Sequence, residues 1–97
     1  MEIAEIDVLS SHETAFEEAV EEAAPLFRTA KGCRSFALDR SVDQPGRYRL
    51  MVGWDSVHDH VVNFRESPNF AAWRALVAPH FSAPPKVDHV ERLFDGF

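Results

Sequence analysis

Cysteine is nearly absent from this chain, which has Cys33 alone among its 97 residues. A single cysteine cannot form an internal disulfide, and it cannot supply a cysteine-rich zinc or iron–sulfur site. No apolar run approaches the ~20 residues that cross a bilayer. The first residues, MEIAEIDVLSSHE, also lack the basic and apolar regions of a secretory signal. These absences predict a cytoplasmic protein without a membrane segment or a metal site.

Basic residues are few and scattered along the chain. Ten Lys and Arg stand against sixteen Asp and Glu, which gives a net charge of −6. Nucleic-acid surfaces need clustered positive charge, so nucleic acid is not an expected partner. With 97 residues and 45% hydrophobic residues, the composition is that of one globular domain, which we place at residues 1–97.

The first third of the chain predicts a strand followed by a helix. Residues 2–9 alternate apolar and polar side chains, as a half-buried strand does. Ser10 and Glu13 have the spacing of a capping box, and apolar residues then recur at helical intervals. These signals predict a helix over residues 11–31, with Gly32 placed to end it.

The middle of the chain predicts a β-hairpin. The segments CRSFALDRSVD and GRYRLMVGWDS both alternate, and residues 43–46 between them, Asp-Gln-Pro-Gly, are typical of a turn. In the second strand, Leu50 and Trp54 share the apolar face.

The last third predicts a broken helical region and a final strand. His60 and Phe64 fall on one helical stripe, and Ser67 and Pro68 supply an N-cap with proline at the first helical position. The segment KVDHVERLF alternates as a fourth strand. The second helix is therefore expected in two pieces.

The order of elements, βαββαβ, predicts an α+β fold of the ferredoxin-like type. Such a fold has one four-stranded antiparallel sheet with helices on one face only. Met51, Cys33 and Ala37 would then contribute an apolar patch to the open face. We therefore expect a homodimer, a dimeric α+β barrel, formed through the open sheet faces.

Three stretches of the sequence resemble the antibiotic biosynthesis monooxygenase family of the dimeric α+β barrel group. They are PLFRTAKGC, RYRLMVGWDSVHDHVVNFRESPNFAAW and PPKVDHVERL, which together extend over most of the chain. The resemblance implies oxidation of a phenolic or quinol-type aromatic molecule by O2, without flavin, haem or metal. Haem breakdown, known from another branch of the group, is not expected, because no histidine stands where its iron ligand would be.

The resemblance also implies a catalytic set. Trp54 matches a tryptophan that lines the pocket of quinone-forming relatives, and Arg74 matches an arginine of the same cavity. The family's asparagine and tyrosine are replaced here by Leu50 and His60. Because an imidazole titrates near neutral pH, His60 is the candidate base.

The expected substrate-binding residues lie on the same strand and helices. They are Phe64, Phe70, Trp73, Asn63 and Leu50. Each candidate also has a structural interpretation: Trp54 as a core residue, His60 as a hydrogen-bonded core histidine, and Arg74 as a charge that extends to solvent past an apolar stripe.

Two functions remain open at this point. The first is a cofactor-free monooxygenase whose partners are a small aromatic substrate and O2. The second is a non-catalytic, small-molecule-binding or stress-related protein with the same fold, because one fold serves many functions. The replaced asparagine and tyrosine favour the second.

Overall fold

A computed structural model describes all 97 residues and contains the six predicted elements in the predicted order. They are β1 (Glu2–Asp7), α1 (Glu13–Arg28), β2 (Cys33–Arg40), β3 (Arg47–Trp54), a helical region broken into a π-helix (Asp59–Phe64) and α2 (Pro68–Val77), and β4 (Lys86–His89). An additional 3-10 turn (Ala78–His80) lies between α2 and β4. The predicted break is confirmed: Ser67 caps α2 by accepting a hydrogen bond from the Phe70 amide, and Pro68 follows it.

The four strands form one antiparallel sheet in the order β2-β3-β1-β4. The two central strands, β1 and β3, pair from Glu2 opposite Val52 to Asp7 opposite Arg47. On the other side of β1, Glu2 lies opposite His89 of β4. This is the ferredoxin-like α+β arrangement that the element order predicts.

The hydrophobic core lies between the helices and one face of this sheet. Alternate residues of β1 and β3 point into it because side chains alternate along a strand. Phe27 of α1 stands at its centre, with ring centroids 4.4 Å from Phe36, 4.7 Å from Phe64 and 4.9 Å from Trp73. The buried core residues are Ala4, Ile6, Val8, Phe16, Ala19, Val20, Ala23, Phe27, Tyr48, Leu50, Val52, Phe64, Trp73 and Val77.

Helix α1 is shorter than the sequence predicts, and Ser10 is not its cap. A turn precedes the helix: the His12 amide donates to the Leu9 carbonyl, and Ser11 has a φ of 68°. This turn takes residues 9–12 out of the helical conformation, so the helix begins at Glu13 without a side-chain cap. No helix in the structure is both long and apolar enough to span a bilayer.

Cys33 does not lie on the open face, where the alternation places it. The register of β2 shifts between Cys33 and Ser35, and this irregularity turns the cysteine toward the core. Strand β4 is also shorter than predicted. Its pairing with β1 runs from Lys86 opposite Glu5 to His89 opposite Glu2, and residues 90–97 are not in a strand.

Candidate functional site

A cleft of about 740 Å³ opens between the helix-facing side of the sheet and the second helical region. Its walls are mostly apolar, and its few polar side chains include a carboxylate, an imidazole and two guanidinium groups. The lining residues are Glu2, Ala4, Ile6, Leu50, His60, Arg65, Phe70, Trp73, Arg74, Ala78, Phe81, Ser82, Ala83, Pro84, Pro85 and Val87.

Glu2 is a carboxylate on the buried face of β1, and only 6% of its surface is exposed. It shares that face with Ala4 and Ile6 because side chains alternate along the strand. The indole Nε1 of Trp54 donates a hydrogen bond to Glu2 Oε1 at 2.9 Å. Burial raises the pKa of Glu2, since the charged form loses hydration, while the indole bond and the nearby Arg65 charge oppose that rise.

His60 connects Glu2 to the neighbouring strand. Its Nε2 lies 3.3 Å from Glu2 Oε1, and its Nδ1 lies 2.8 Å from His89 Nε2. The imidazole also stacks on Trp54 with ring centroids 5.4 Å apart and planes 13° apart. Burial lowers the pKa of His60 to about 4, with smaller contributions from Arg65 and His89, so the imidazole is neutral near pH 7.

The π-helix that carries His60 is fixed at its start by Asp59. The Asp59 carboxylate accepts hydrogen bonds from the Ser56 hydroxyl and the Asn63 amide. Gly32 packs directly on this carboxylate, in a left-handed conformation with a φ of 79°, and a side chain at position 32 would overlap Asp59. Single π-helical turns are frequent at functional sites because they change the direction of one side chain.

Two arginines line the cleft without a carboxylate partner. Arg65 and Arg74 make no salt bridge, whereas Arg34 and Arg47 pair with acidic neighbours on other parts of the surface. Guanidinium groups bind oxyanions through planar pairs of N–H donors. The cleft therefore offers positive charge at its walls in a protein whose net charge is −6.

The structure brings five of the eight predicted site residues to the cleft wall: His60, Arg74, Leu50, Phe70 and Trp73. The other three lie behind it. Trp54 contacts the cleft residues Glu2 and His60 from the far side, Phe64 is part of the core, and the Asn63 amide bonds to Asp59.

Sequence reasoning missed Glu2, Arg65 and the role of His89. A signal for Glu2 was present, because strict alternation places it on the apolar side of β1 with Ala4. A carboxylate on a buried face needs partners there. Nothing in the sequence indicated that His89 would face it, because that contact depends on the register between β1 and β4.

A second pair of histidines lies outside the cleft. His12 Nδ1 and His80 Nδ1 are 3.1 Å apart, and both side chains are partly buried. No carboxylate bonds to either ring. No group of three or more His, Cys, Asp or Glu side chains in the structure is arranged to hold a metal ion.

Comparison with known proteins gives consistent matches. The family model described as antibiotic biosynthesis monooxygenase matches residues 1–76. A candidate antibiotic biosynthesis monooxygenase from Bordetella bronchiseptica is 45% identical, covers 96% of this chain and 95% of its own, and has a TM-score of 0.95. A similarly described protein from Nitrosomonas europaea, 24% identical over 96% of this chain and 88% of its own, shares the fold with a TM-score of 0.83. The uncharacterized protein YczJ of Bacillus subtilis (strain 168) is 30% identical over 90 residues, 93% of this chain and 95% of that protein.

Proposed function

Because this chain belongs to the antibiotic biosynthesis monooxygenase family, we propose that it oxidises a phenolic or quinol-type aromatic molecule with O2 and without a cofactor. One observation carries the proposal. The mostly apolar cleft contains a buried carboxylate and a neutral imidazole in contact with each other, Glu2 and His60. Such a pair can take the proton of a bound phenol where water is excluded.

The proposed reaction needs no external reductant. A phenol with a free ring position loses two hydrogens and gains one oxygen atom to become a quinone. The other atom of O2 leaves as water with those two hydrogens. All four electrons that reduce O2 come from the substrate. Loss of the phenolic proton makes them available, because the phenolate is a stronger electron donor than the neutral phenol.

Each part of the cleft has a role in this proposal. His60 with Glu2 accepts the proton, and Trp54 holds the two by stacking and by its indole hydrogen bond. Arg74, together with Arg65, binds the oxyanion that forms. The side chains that surround the ring and exclude water are Phe70, Trp73, Phe81 and Leu50.

The experiment is an oxygen-uptake screen of the metal-free protein with anthrones, naphthols and hydroquinones, each corrected for its spontaneous autoxidation. The expected result is accelerated uptake, insensitive to chelators, with one atom of labelled O2 in the product of a phenol or anthrone. Arg74→Ala should reduce turnover strongly. Arg34→Ala is the matched control, since Arg34 pairs with Asp55 outside the cleft. Binding of these compounds without any uptake would contradict the proposal.

One observation favours the second function, a small-molecule binder without turnover. Both ring nitrogens of His60 already have protein partners, and its pKa is lowered to about 4, so His60 alone is a weak base. Leu50 also supplies no polar group where the family has asparagine. If His60→Ala and Arg74→Ala change ligand affinity while no compound is oxidised by any variant, binding is the better account.

We further propose that two copies associate through the open sheet face. That face carries the partly buried Ile3 and Met51 among charged residues. In addition, Leu93 and Phe94 beyond β4 are 82% and 78% exposed, which is unusual for large apolar side chains in a soluble monomer. Light scattering should give twice the 11.0 kDa chain mass, and Met51→Glu should lower it. A monomer at every concentration would exclude the dimer.

A further inference from the structure

The cleft carries a net positive charge, although the protein as a whole is acidic. Of the sixteen lining residues, Glu2, Arg65 and Arg74 are the ones with an acidic or strongly basic side chain. His60 is neutral near pH 7, because burial lowers its pKa to about 4. With Glu2 ionised, the cleft therefore has a charge of +1 in a chain whose net charge is −6. A ligand with one negative charge would neutralise it.

The two guanidinium groups stand at different places along one wall of the cleft. Neither forms a salt bridge within the protein, and both arginines are exposed, which places them at the rim. Arg65 precedes the Ser67 cap of α2. Arg74 lies on α2, one helical turn after Phe70 and one turn before Ala78, and all three of these residues line the cleft. Phe70 therefore lies between the two cations along the chain.

The buried polar groups of the cleft lie at the Arg65 end. The charge of Arg65 acts on both Glu2 and His60, whereas Arg74 is not among the charges that shift either pKa. Glu2 Oε1 accepts the indole hydrogen bond of Trp54, and Glu2 Oε2 has no hydrogen-bond partner. No fully buried side-chain oxygen in the structure lacks a partner, so Oε2 reaches open space, and Glu2 lines the cleft. A ligand hydroxyl can donate to Oε2, which leaves Arg74 free for a second group.

We infer that the substrate of this cleft is a hydroxyaromatic carboxylate, with its hydroxyl at Glu2 and its carboxylate bound by Arg74. The inference rests on the proposed function for the phenolic hydroxyl and adds the second, anionic group. A guanidinium and a carboxylate are both planar and can form two parallel N–H···O bonds. Arg74 keeps its proposed contribution to the phenolate, because the negative charge of a phenolate spreads into the ring.

The part of the substrate between these two groups is aromatic because the wall beside it is aromatic. Phe70 and Trp73 line this wall, and Phe81 also lines the cleft. Aromatic side chains pack on a flat ring in offset or edge-on contacts. The volume of about 740 Å³ is typical of a site for a whole organic molecule and leaves room for more than one ring.

The first test compares 2-naphthoate with 2-naphthol, which share one ring system and differ in charge at neutral pH. Anaerobic conditions prevent oxidation, and isothermal titration calorimetry measures both affinities. 2-Naphthoate should bind about tenfold more tightly. The difference should shrink as salt is added, because Arg74 is exposed. Equal affinities of the two compounds in dilute buffer would overturn the inference.

The second test assigns the carboxylate to one residue. Arg74→Met keeps an apolar stem and removes the charge, so it should weaken 2-naphthoate binding about tenfold more than it weakens 2-naphthol binding. Arg28→Met is the matched control, because Arg28 is an exposed arginine of α1 that forms no salt bridge and lies outside the cleft. An equal loss in the two variants would show that only the overall charge matters and would overturn the assignment of Arg74.

The third test examines the ring and the hydroxyl. Octanoate has the same carboxylate on a saturated chain and should bind more weakly than 2-naphthoate; equal binding would overturn the aromatic part of the inference. Among hydroxynaphthoates, at least one positional isomer should bind more tightly than 2-naphthoate, and its methyl ether, which cannot donate to Glu2, should lose that gain. The absence of a gain for every isomer would overturn Glu2 as the hydroxyl site.

The outcomes distinguish this inference from the proposed function, because affinities are measured without oxygen. If carboxylates bind selectively through Arg74 but no compound consumes oxygen, the inference stands and the monooxygenase proposal fails. If naphthols or hydroquinones are oxidised while carboxylates gain no affinity from Arg74, the monooxygenase stands and the inference fails.

Discussion

The protein contains two histidine pairs of similar geometry in different surroundings. His60 and His89 have nitrogens 2.8 Å apart, and His12 and His80 have nitrogens 3.1 Å apart. In the first pair, His60 lies 3.3 Å from a buried carboxylate, stacks on an indole and borders the cleft. The second stands at the start of α1, half-buried and edge-on, without a carboxylate.

This difference shows that proximity of two imidazoles does not make a site. A hydrogen-bonded pair can transfer a proton only if something at one end supplies or accepts it and the other end reaches solvent. Glu2 lies 3.3 Å from His60 Nε2, whereas no carboxylate bonds to His12 or His80. Burial adds a second feature to the first pair, because it lowers the pKa of His60 to about 4 and so keeps this imidazole neutral over the physiological range.

The two pairs should differ most in the stability that is lost when a histidine is replaced by alanine. His60→Ala should lower the free energy of unfolding by about 3 kcal/mol, because it leaves a cavity beside Trp54, removes the hydrogen bond to His89 and leaves Glu2 with the Trp54 indole as its one remaining partner. Urea unfolding at neutral pH measures this loss. Equal losses for His60→Ala and His12→Ala would remove the energetic distinction between the pairs.

Substitution of Gly32 should disturb only the His60 pair. Gly32→Ala places a methyl group against the Asp59 carboxylate and forces alanine to a φ of 79°, at a cost of about 2 kcal/mol. Because Asp59 begins the π-helix, the His60 ring should move from Trp54. Urea unfolding and the NMR shifts of the histidine rings check this. Unchanged His60 signals together with unchanged stability would show that the glycine is not required.

The pH dependence of stability should also distinguish the pairs. The folded pKa of His60, about 4, lies below its unfolded value of 6.5, so the unfolded chain takes up the proton first. The stability from this group is complete above pH 6.5 and is lost as the pH falls toward 4. The contribution of Glu2 to stability changes in the opposite direction above pH 4.5. Its raised pKa lets the folded state take up the proton first, so this contribution increases as the pH falls. Because the two contributions oppose each other, the net loss should be smaller than the roughly 3 kcal/mol that the His60 shift alone would give.

Unfolding curves at several pH values measure this dependence. His60→Gln should flatten the decline. If this variant keeps the decline of the unaltered protein, another group is responsible for it.

The smallest effect is expected at the second pair. His80→Ala removes one half-buried hydrogen bond and should cost about 0.5–1 kcal/mol, with no change in the affinity of aromatic ligands for the cleft. Thermal unfolding and tryptophan fluorescence titrations measure the two quantities. A clear loss of ligand affinity would show that the two pairs are coupled.

Much of the fold could be predicted because its signals are local. The alternation in β1 and β3, the turn at residues 43–46 and the Ser67 cap each depend on neighbours in sequence. The failures were places where distant contacts decide. The turn before Glu13 replaced the expected cap, an irregularity in β2 moved Cys33 into the core, and β4 ended at His89, opposite Glu2 of β1.

The residues of the candidate site divide in the same way, into those that local signals predict and those that distant contacts decide. Leu50, Phe70, Trp73, Arg74 and His60 were expected at the site, and the structure places all five along the cleft. Trp54 lies one layer behind, bonded to a carboxylate that the sequence did not single out. No periodicity shows that relation, because Trp54 and Glu2 are on different strands and meet diagonally across the β1–β3 register.

The sequence by itself determined the order of the elements, the faces they bury and the family resemblance, because spacing and turn chemistry act over a few residues. Only the tertiary structure decided that Glu2, His60 and His89 lie together, with His60 3.3 Å from the carboxylate and hydrogen-bonded to His89. Their separations along the sequence are long, and the strand register and the π-helix bring them together. Burial then shifts the pKa values of Glu2 and His60, because water is excluded only after the sheet and helices have packed.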